Sequence, residues 1–142
     1  MKTVLAVLAA TLVAFAATTW WALEYGGVAI IETQAPDGSL RSTHVWYAEP
    51  DGQLWLEAGT PENAWFQDVR RHPLLTFTAD GRSGRFIAEP IDPSSGHDRI
   101  RALLREKYGL RDWWVGLLVD TSRSVAVRLV PAPSGGAEPT RF

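Results

Sequence analysis

The sequence predicts a mainly β domain, a small six-stranded antiparallel barrel with two or three packing helices, preceded by one N-terminal apolar helix. Short apolar runs alternate with Asp-Gly turn signals, which join neighbouring strands antiparallel. Two segments change to helical periodicity, and residues 1–23 contain a single charge. We therefore expect an anchor or signal peptide over 1–23, a barrel domain over 24–131 and a disordered tail over 132–142, which is rich in Pro, Gly and Ala.

The N-terminal segment has two interpretations. Val4–Leu23 carries no charge, and as a helix it would extend about 30 Å, the thickness of the hydrocarbon core of a bilayer. Trp20 and Trp21 fall where an interfacial aromatic belt is expected, and a basic N-terminus favours an external domain. Alternatively, Lys2 begins a signal peptide that is cleaved after Ala14-Phe15-Ala16, which would leave the protein secreted or periplasmic. Both interpretations require contact with a membrane.

The strands are recognised by β-branched and alternating apolar residues between turns. Asp37-Gly38, Pro50-Asp51-Gly52 and Asp80-Gly81 supply turns, because glycine tolerates a positive φ. Around Trp55, the period of two places Leu54 and Leu56 on the opposite face. The predicted strands are Val28–Thr33, Leu40–Glu49, Gln53–Ala58, Leu74–Ala79, Ser83–Glu89 and Ser124–Val130.

Two helices interrupt the strands. Thr60-Pro61-Glu62 has the pattern of an N-cap, a proline at the first helical position and an acidic first turn, and Pro73 prevents the helix from continuing. Ser95 is the expected cap of a second helix, which runs to about Tyr108 and ends at Gly109. The segment Asp112–Leu118 fits a helix or a strand equally well.

Composition excludes several kinds of chemistry. The net charge is −2, and such a balance argues against nucleic-acid binding, which needs a cationic surface. There is no cysteine, which excludes disulfides, thiolate catalysis and cysteine-based zinc sites. His44, His72 and His97 lack the spacing of metal ligands, so we expect no metal site. Gly81–Arg85 is interpreted as a basic hairpin tip rather than a phosphate cradle.

Three stretches, Arg41–Tyr47, Asp51–Leu56 and Ala64–Phe77, resemble the split β-barrel flavin and deazaflavin oxidoreductases. This superfamily includes pyridoxamine-phosphate-oxidase-like proteins and deazaflavin-dependent nitroreductases. The resemblance covers about residues 27–130 in the same element order, and its most specific parts are the aromatic pair at the end of the first stretch and Arg70 before Pro73.

The resemblance implies a homodimer that binds deazaflavin or FMN in a groove at the dimer interface. The usual phosphate-binding positions are depleted here: Gln34–Gly38 has no cation, and Asn63-Ala64-Trp65 stands where flavin-binding relatives have Ser-Arg-Lys. Arg41, Arg70 and Lys107 would have to supply the missing charge. By position in the family pattern, the cofactor-binding residues would be Arg41, Ser42, Thr43, Gly59, Thr60, Trp65 and Arg70.

The implied function is a membrane-associated oxidoreductase that transfers a hydride from a reduced deazaflavin or flavin to a small planar acceptor, either quinone-like or nitroaromatic. No catalytic residue is identified, since no nucleophile or buried acid is required when the cofactor supplies the chemistry. The alternative is a non-catalytic cofactor-binding or dimerising module. In that case Trp46 and Trp55 are ordinary core rings, Arg70 interacts with its helix dipole, and the basic side chains of residues 99–107 form a solvated helix face.

Overall fold

The computed structural model describes residues 1–24 and 27–133, and it confirms the predicted six-stranded antiparallel barrel with an N-terminal apolar helix. Most of the predicted tail lies outside the described residues. The strands are β1 (Val28–Gln34), β2 (Leu40–Ala48), β3 (Trp55–Ala58), β4 (Leu74–Ala79), β5 (Arg82–Pro90) and β6 (Val125–Pro131). The helices are α1 (Lys2–Glu24), α2 (Ala64–Arg71), α3 (Pro93–Tyr108) and α4 (Leu110–Leu118), and a single 3-10 turn covers Pro50–Gly52.

The barrel closes in the order β1-β2-β3-β6-β5-β4, and every neighbouring pair is antiparallel. β1 and β2 pair at seven positions. In contrast, β2 and β3 pair at two, Tyr47 with Leu56 and Ala48 with Trp55. β6 then joins β3, with Trp55 opposite Arg128, and also joins β5. The wall of the barrel is therefore split between β2 and β3.

Two apolar clusters hold the domain together. The inward side chains of the strands, such as Ile31, Leu56 and Val127, fill the barrel, and Val69 of α2 packs among them. The outward face of the sheet packs against α3 in a second cluster, which contains Trp55. The alternation predicted around Trp55 is thus confirmed, because Leu54 and Leu56 lie in the first cluster and Trp55 in the second.

The predicted helix starts were wrong at two places. Residues Thr60–Asn63 form a turn, in which the Asn63 backbone N–H donates to the Thr60 carbonyl over 3.2 Å, and α2 begins only at Ala64. α3 begins at Pro93, where the Asp92 carboxylate accepts a hydrogen bond from the Ser94 N–H over 2.8 Å. Asp92 therefore caps this helix in place of Ser95. The segment that fitted helix and strand equally is the helix α4.

α1 is long and apolar enough to cross a membrane over Lys2–Ala22, and that stretch is exposed except for the half-buried Thr19 and the buried Ala22. A cleavable signal sequence has the same properties, so both interpretations of the N-terminus remain. The hydroxyls of Thr11, Thr18 and Thr19 donate to backbone carbonyls four residues earlier, which satisfies them inside the helix. Near its C-terminal end α1 packs against α4, with 5.7 Å between the ring centroids of Phe15 and Trp114.

Candidate functional site

A groove of about 470 Å³ follows β2 where that strand diverges from β3. One wall is formed by consecutive β2 residues from Arg41 to Trp46. Glu57 and Gly59 at the end of β3 and Trp65 of α2 form the opposite wall, and α4 closes the side. Side chains on both faces of β2 border the groove because the groove runs along the edge of the strand. Its volume is within the usual range for small-molecule sites.

The structure brings five of the seven predicted cofactor-binding residues to this groove. Thr60 and Arg70 do not border it. The Thr60 hydroxyl donates to the side-chain oxygen of Asn63 over 3.2 Å, and Arg70 is exposed on α2. Since α2 starts four residues after Thr60, this hydroxyl does not lie at the helix N-terminus as expected. The five residues that border the groove are Arg41, Ser42, Thr43, Gly59 and Trp65.

Arg41 is held in place by a buried carboxylate. Its Nε donates to Asp68 Oδ2 over 2.7 Å, and the Thr33 hydroxyl donates to the same oxygen over 3.0 Å. Arg71 reaches the other oxygen, Oδ1, over 2.9 Å. The Asp68 side chain is 1% exposed, whereas that of Arg41 is 38% exposed. Two guanidinium groups therefore share one carboxylate beside this end of the groove.

The protonation state of Asp68 follows from this cluster. Burial is the largest single effect on its pKa and raises it, but hydrogen bonds from Arg41, Thr33 and Arg71 together outweigh burial. The pKa of Asp68 therefore lies below its ordinary value, and the carboxylate is ionised at neutral pH. An ionised Asp68 fixes the orientation of Arg41 towards the groove.

A second ion cluster joins three elements beside the groove. Arg101 of α3 donates through one terminal nitrogen to both oxygens of Glu57, over 2.9 and 3.0 Å, and through the other to Asp112 of α4. The side chain of Arg101 is 11% exposed, so its assignment to a solvated helix face was wrong. Arg99 also makes a contact, because its guanidinium lies 5.0 Å from the centroid of the Trp55 ring.

Lys107, expected as a possible replacement for the missing phosphate-binding charge, does not border the groove. Its ammonium group lies 3.1 Å from the centroid of the Tyr47 ring and donates to the Tyr47 carbonyl over 2.9 Å. Burial lowers the pKa of Lys107 to about 8, against the pull of the Asp80 and Glu49 carboxylates. This lysine therefore joins α3 to β2 and does not supply charge to the groove.

The remaining groove wall is largely apolar. Trp46 is half-buried and stacks on Tyr108 of α3, with 4.4 Å between centroids and 15° between ring planes. Trp65 is 3% exposed and belongs mainly to the barrel core. Val115 of α4 and Val119, the residue just after α4, complete this side. Trp46 therefore combines ordinary packing with a position beside the groove.

Sequence reasoning missed three side chains here. Asp68 and Arg101 were not selected because each becomes a buried ion-pair member only when distant segments meet. His44 borders the groove on the exposed face of β2, and its alternation with Ser42 along that strand could have identified it. Among the described residues, no group of three or more His, Asp or Glu side chains is placed to hold a metal ion.

The groove has the features that a flavin-type ring requires. Ser42 and Thr43, whose hydroxyls can accept or donate hydrogen bonds to a heterocycle edge, border one wall. Trp46, Val115 and Val119 offer apolar surface for the ring faces. The Arg41 cluster stands at one end of the groove. At that end Arg41 is the arginine that borders the groove, whereas the family pattern has more than one cation at its phosphate-binding positions.

No protein-family model matches the chain, and no curated protein matches it significantly. Solved structures do match. A conserved hypothetical protein from Mycobacterium tuberculosis is 25% identical, with a TM-score of 0.58 and coverage of 77% of this chain and 75% of that one. A protein described as an F420 reductase is 15% identical, with a TM-score of 0.55 and coverage of 80% and 93%. An FAD-binding protein from Mesorhizobium loti is 17% identical, with a TM-score of 0.56 and coverage of 79% and 86%.

A heme storage protein from Vibrio cholerae also shares the fold, at 10% identity and a TM-score of 0.56 over 80% of this chain and 87% of that one. The fold alone therefore does not select the ligand. The similar structures carry the same barrel that the motifs along β2, β3 and α2 indicated. The closed six-stranded barrel and these structural neighbours show that the chain has the split β-barrel fold, which proteins described as an F420 reductase and as FAD-binding also have.

Proposed function

We propose that this protein is a membrane-associated oxidoreductase, which passes a hydride from a reduced deazaflavin or flavin to a quinone-like or nitroaromatic acceptor. The observation that carries the proposal is the groove between β2 and β3, with a cationic cluster at Arg41 and an apolar wall from α4. The presence of an F420 reductase and an FAD-binding protein among similar structures supports a flavin-type ligand.

The residues of the groove would bind and orient the cofactor. The hydroxyls of Ser42 and Thr43 would hydrogen-bond the polar edge of the ring, and Trp46 with Val115 would exclude water from its face. The cofactor, when bound, supplies the hydride, so the protein needs no nucleophile of its own. The role of the chain is to hold the ring and the acceptor in a dry, fixed arrangement.

Arg41 is the residue that would bind the anionic tail. Its Nε is engaged by Asp68, which fixes the plane of the guanidinium and leaves the two terminal nitrogens to donate to a phosphate. Because Arg71 neutralises part of the same carboxylate, the charge of Arg41 is not cancelled. A charge-assisted contact of this kind contributes about 1.5–3 kcal/mol to binding.

The position of α4 supports a lipid-soluble acceptor. Val115 of α4 and Val119 just after it border the groove, while Trp114 of α4 packs on α1, the candidate membrane helix. An acceptor dissolved in the bilayer would thus lie one helix away from the cofactor. We also propose that the protein is a homodimer, supported by the exposed apolar side chains of Ile30 and Leu74 on the neighbouring strands β1 and β4.

The test compares two arginines that share one carboxylate. Arg41→Gln and Arg71→Gln each remove a guanidinium from Asp68, but Arg41 alone borders the groove. The full-length protein in detergent is titrated with FMN and with deazaflavin, and binding is followed by absorbance and fluorescence. We expect Arg41→Gln to weaken binding by about ten- to a hundredfold, and Arg71→Gln to leave it nearly unchanged.

Three outcomes separate the possibilities. If the unaltered protein binds neither cofactor at tens of micromolar, about the weak end of cofactor affinities, the oxidoreductase proposal is abandoned. If both arginine variants weaken binding equally, the cofactor proposal stands and Arg41 is not its phosphate ligand. If the cofactor binds but its reduced form is not oxidised by menadione or a nitroaromatic compound, the protein is the non-catalytic binding module.

A further inference from the structure

The charge pattern of α4 is the reverse of that of a helix on a water-soluble surface. Its one acidic residue, Asp112, is 3% exposed and paired with Arg101. The face beside it is apolar and open: Leu110 is 80% exposed, Trp113 61% and Leu117 62%. Trp113 and Leu117 also line a cavity that Asp112 borders. Soluble domains place such residues inward, and a contiguous apolar surface of this kind marks a contact with a partner or a membrane.

The contact between α4 and α1 fixes where this apolar face lies. Trp114 packs on Phe15, and its indole N–H donates to the Thr19 hydroxyl over 3.2 Å. Phe15 precedes Trp20 by five residues, which is about 8 Å along the helix axis. If α1 crosses the bilayer with Trp20 in the interfacial belt, Trp114 is held below the level of that belt, at the boundary with the acyl chains.

Arg111 of α4 lies at a level that suits contact with lipid headgroups. Arg111 lies with its guanidinium 5.9 Å from the centroid of the Trp21 ring and 4.8 Å from that of Tyr108. This places a positive charge at the level of the tryptophan pair, where lipid phosphates are found. The apolar face of α4 is then directed at the acyl chains, and its cationic border is directed at the headgroups.

We propose that α4 is an interfacial helix, with Leu110, Trp113 and Leu117 immersed in the same leaflet that the C-terminal end of α1 crosses. The partner is the lipid of that leaflet, and the evidence is the continuity of the apolar face with the candidate membrane helix. The inference rests on the membrane association proposed above but not on the cofactor. It places one wall of the groove, through Val115 and Val119, between the bilayer and the cofactor site.

The absence of cysteine makes a direct test possible, because one introduced cysteine carries one label. Leu117→Cys tests the exposed face of α4. Ser39→Cys is the control. Ser39 is exposed in the turn between β1 and β2, whereas the other end of β1, at Val28, is the one that follows α1 in the chain. The full-length variants carry a nitroxide and are reconstituted in vesicles of phosphatidylcholine and phosphatidylglycerol. Accessibility is measured to oxygen, which concentrates in lipid, and to a water-soluble nickel complex.

We expect the ratio of oxygen to nickel accessibility at position 117 to exceed that at position 39 by about tenfold, because a polar complex is excluded from acyl chains. A ratio at 117 equal to that at 39, in protein that floats with the vesicles, would place α4 in water and overturn the inference alone. Protection of position 117 from both reagents would show that a second copy of the chain covers α4, and would also overturn it. Protein that does not float with the vesicles would refute the membrane association and the inference together.

Discussion

Replacing Arg101 with methionine should destabilise the domain strongly. Glu57 and Asp112 share this one guanidinium, and the three side chains are between 3% and 11% exposed. Removal of one partner from a largely buried ion cluster leaves two carboxylates with little access to water, which costs about 3–5 kcal/mol. For a domain of this size the unfolding temperature should fall by at least about 10 °C. Because Asp112 anchors α4, the groove should lose its apolar wall as well.

The assay is thermal unfolding of the full-length protein in detergent, followed by near-ultraviolet circular dichroism, which reports the packing of its tryptophans. Arg105→Met is the matched control: its Nε is 3.9 Å from Asp112, but its side chain is 73% exposed. We expect that control to change stability by about 1 kcal/mol or less. A triple variant that adds Glu57→Gln and Asp112→Asn to Arg101→Met should recover most of the loss. Equal losses from Arg101→Met and Arg105→Met, or no recovery in the triple variant, would refute the reasoning.

Three further predictions concern pH and the membrane. The pKa of Asp68 is lowered in the folded state, so its stabilisation is complete above about pH 5 and is lost as the pH falls through the folded value. Asp68→Asn should therefore reduce the change of the unfolding temperature between about pH 5 and pH 2. Lys107 has a pKa of about 8 in the folded domain and 10.5 as its ordinary value, so between these pH values the unfolded chain holds a proton that the folded domain has released. The stability of the unaltered protein should therefore rise from pH 8 to pH 10.5, whereas that of Lys107→Met should not. The full-length chain should stay in membranes after alkaline carbonate extraction, whereas recovery of a soluble chain that begins at Ala17 would establish the signal-peptide interpretation.

The strands were predictable because their signals are local. Alternation over Leu54–Leu56 and the Asp80-Gly81 turn, where both residues have positive φ, fix the register without knowledge of distant contacts. The helix starts were less predictable, since Thr60 and Ser95 both have the residue types that cap helices. In the structure Thr60 begins a turn, and Asp92 caps α3 in place of Ser95. The segment of α4 was uncertain because its apolar residues occupy its exposed side, so its periodicity does not report a buried face.

The candidate site was predictable where one strand supplies it. Arg41, Ser42 and Thr43 are consecutive, so their arrival at one groove follows from the existence of β2. The partners of the arginines were not predictable, since Asp68 and Asp112 are ordinary helix carboxylates until folding brings Arg41 and Arg101 to them. A charged residue in a sequence indicates neither its burial nor its counterion, because both depend on segments far away in the chain.

The position of β6 in the sheet has a consequence for how the chain is made. β3 and β5 both pair with β6. Trp55 and Glu89 therefore gain their strand partner, Arg128, only when β6 has been made. Ribosomes synthesise residues 125–131 after the other five strands and after the candidate membrane helix. Contacts so distant in sequence close slowly, because loop-closure entropy must be overcome first. A nascent or truncated chain that lacks this strand therefore displays two unpaired strand edges, and quality-control proteases can recognise it as incomplete.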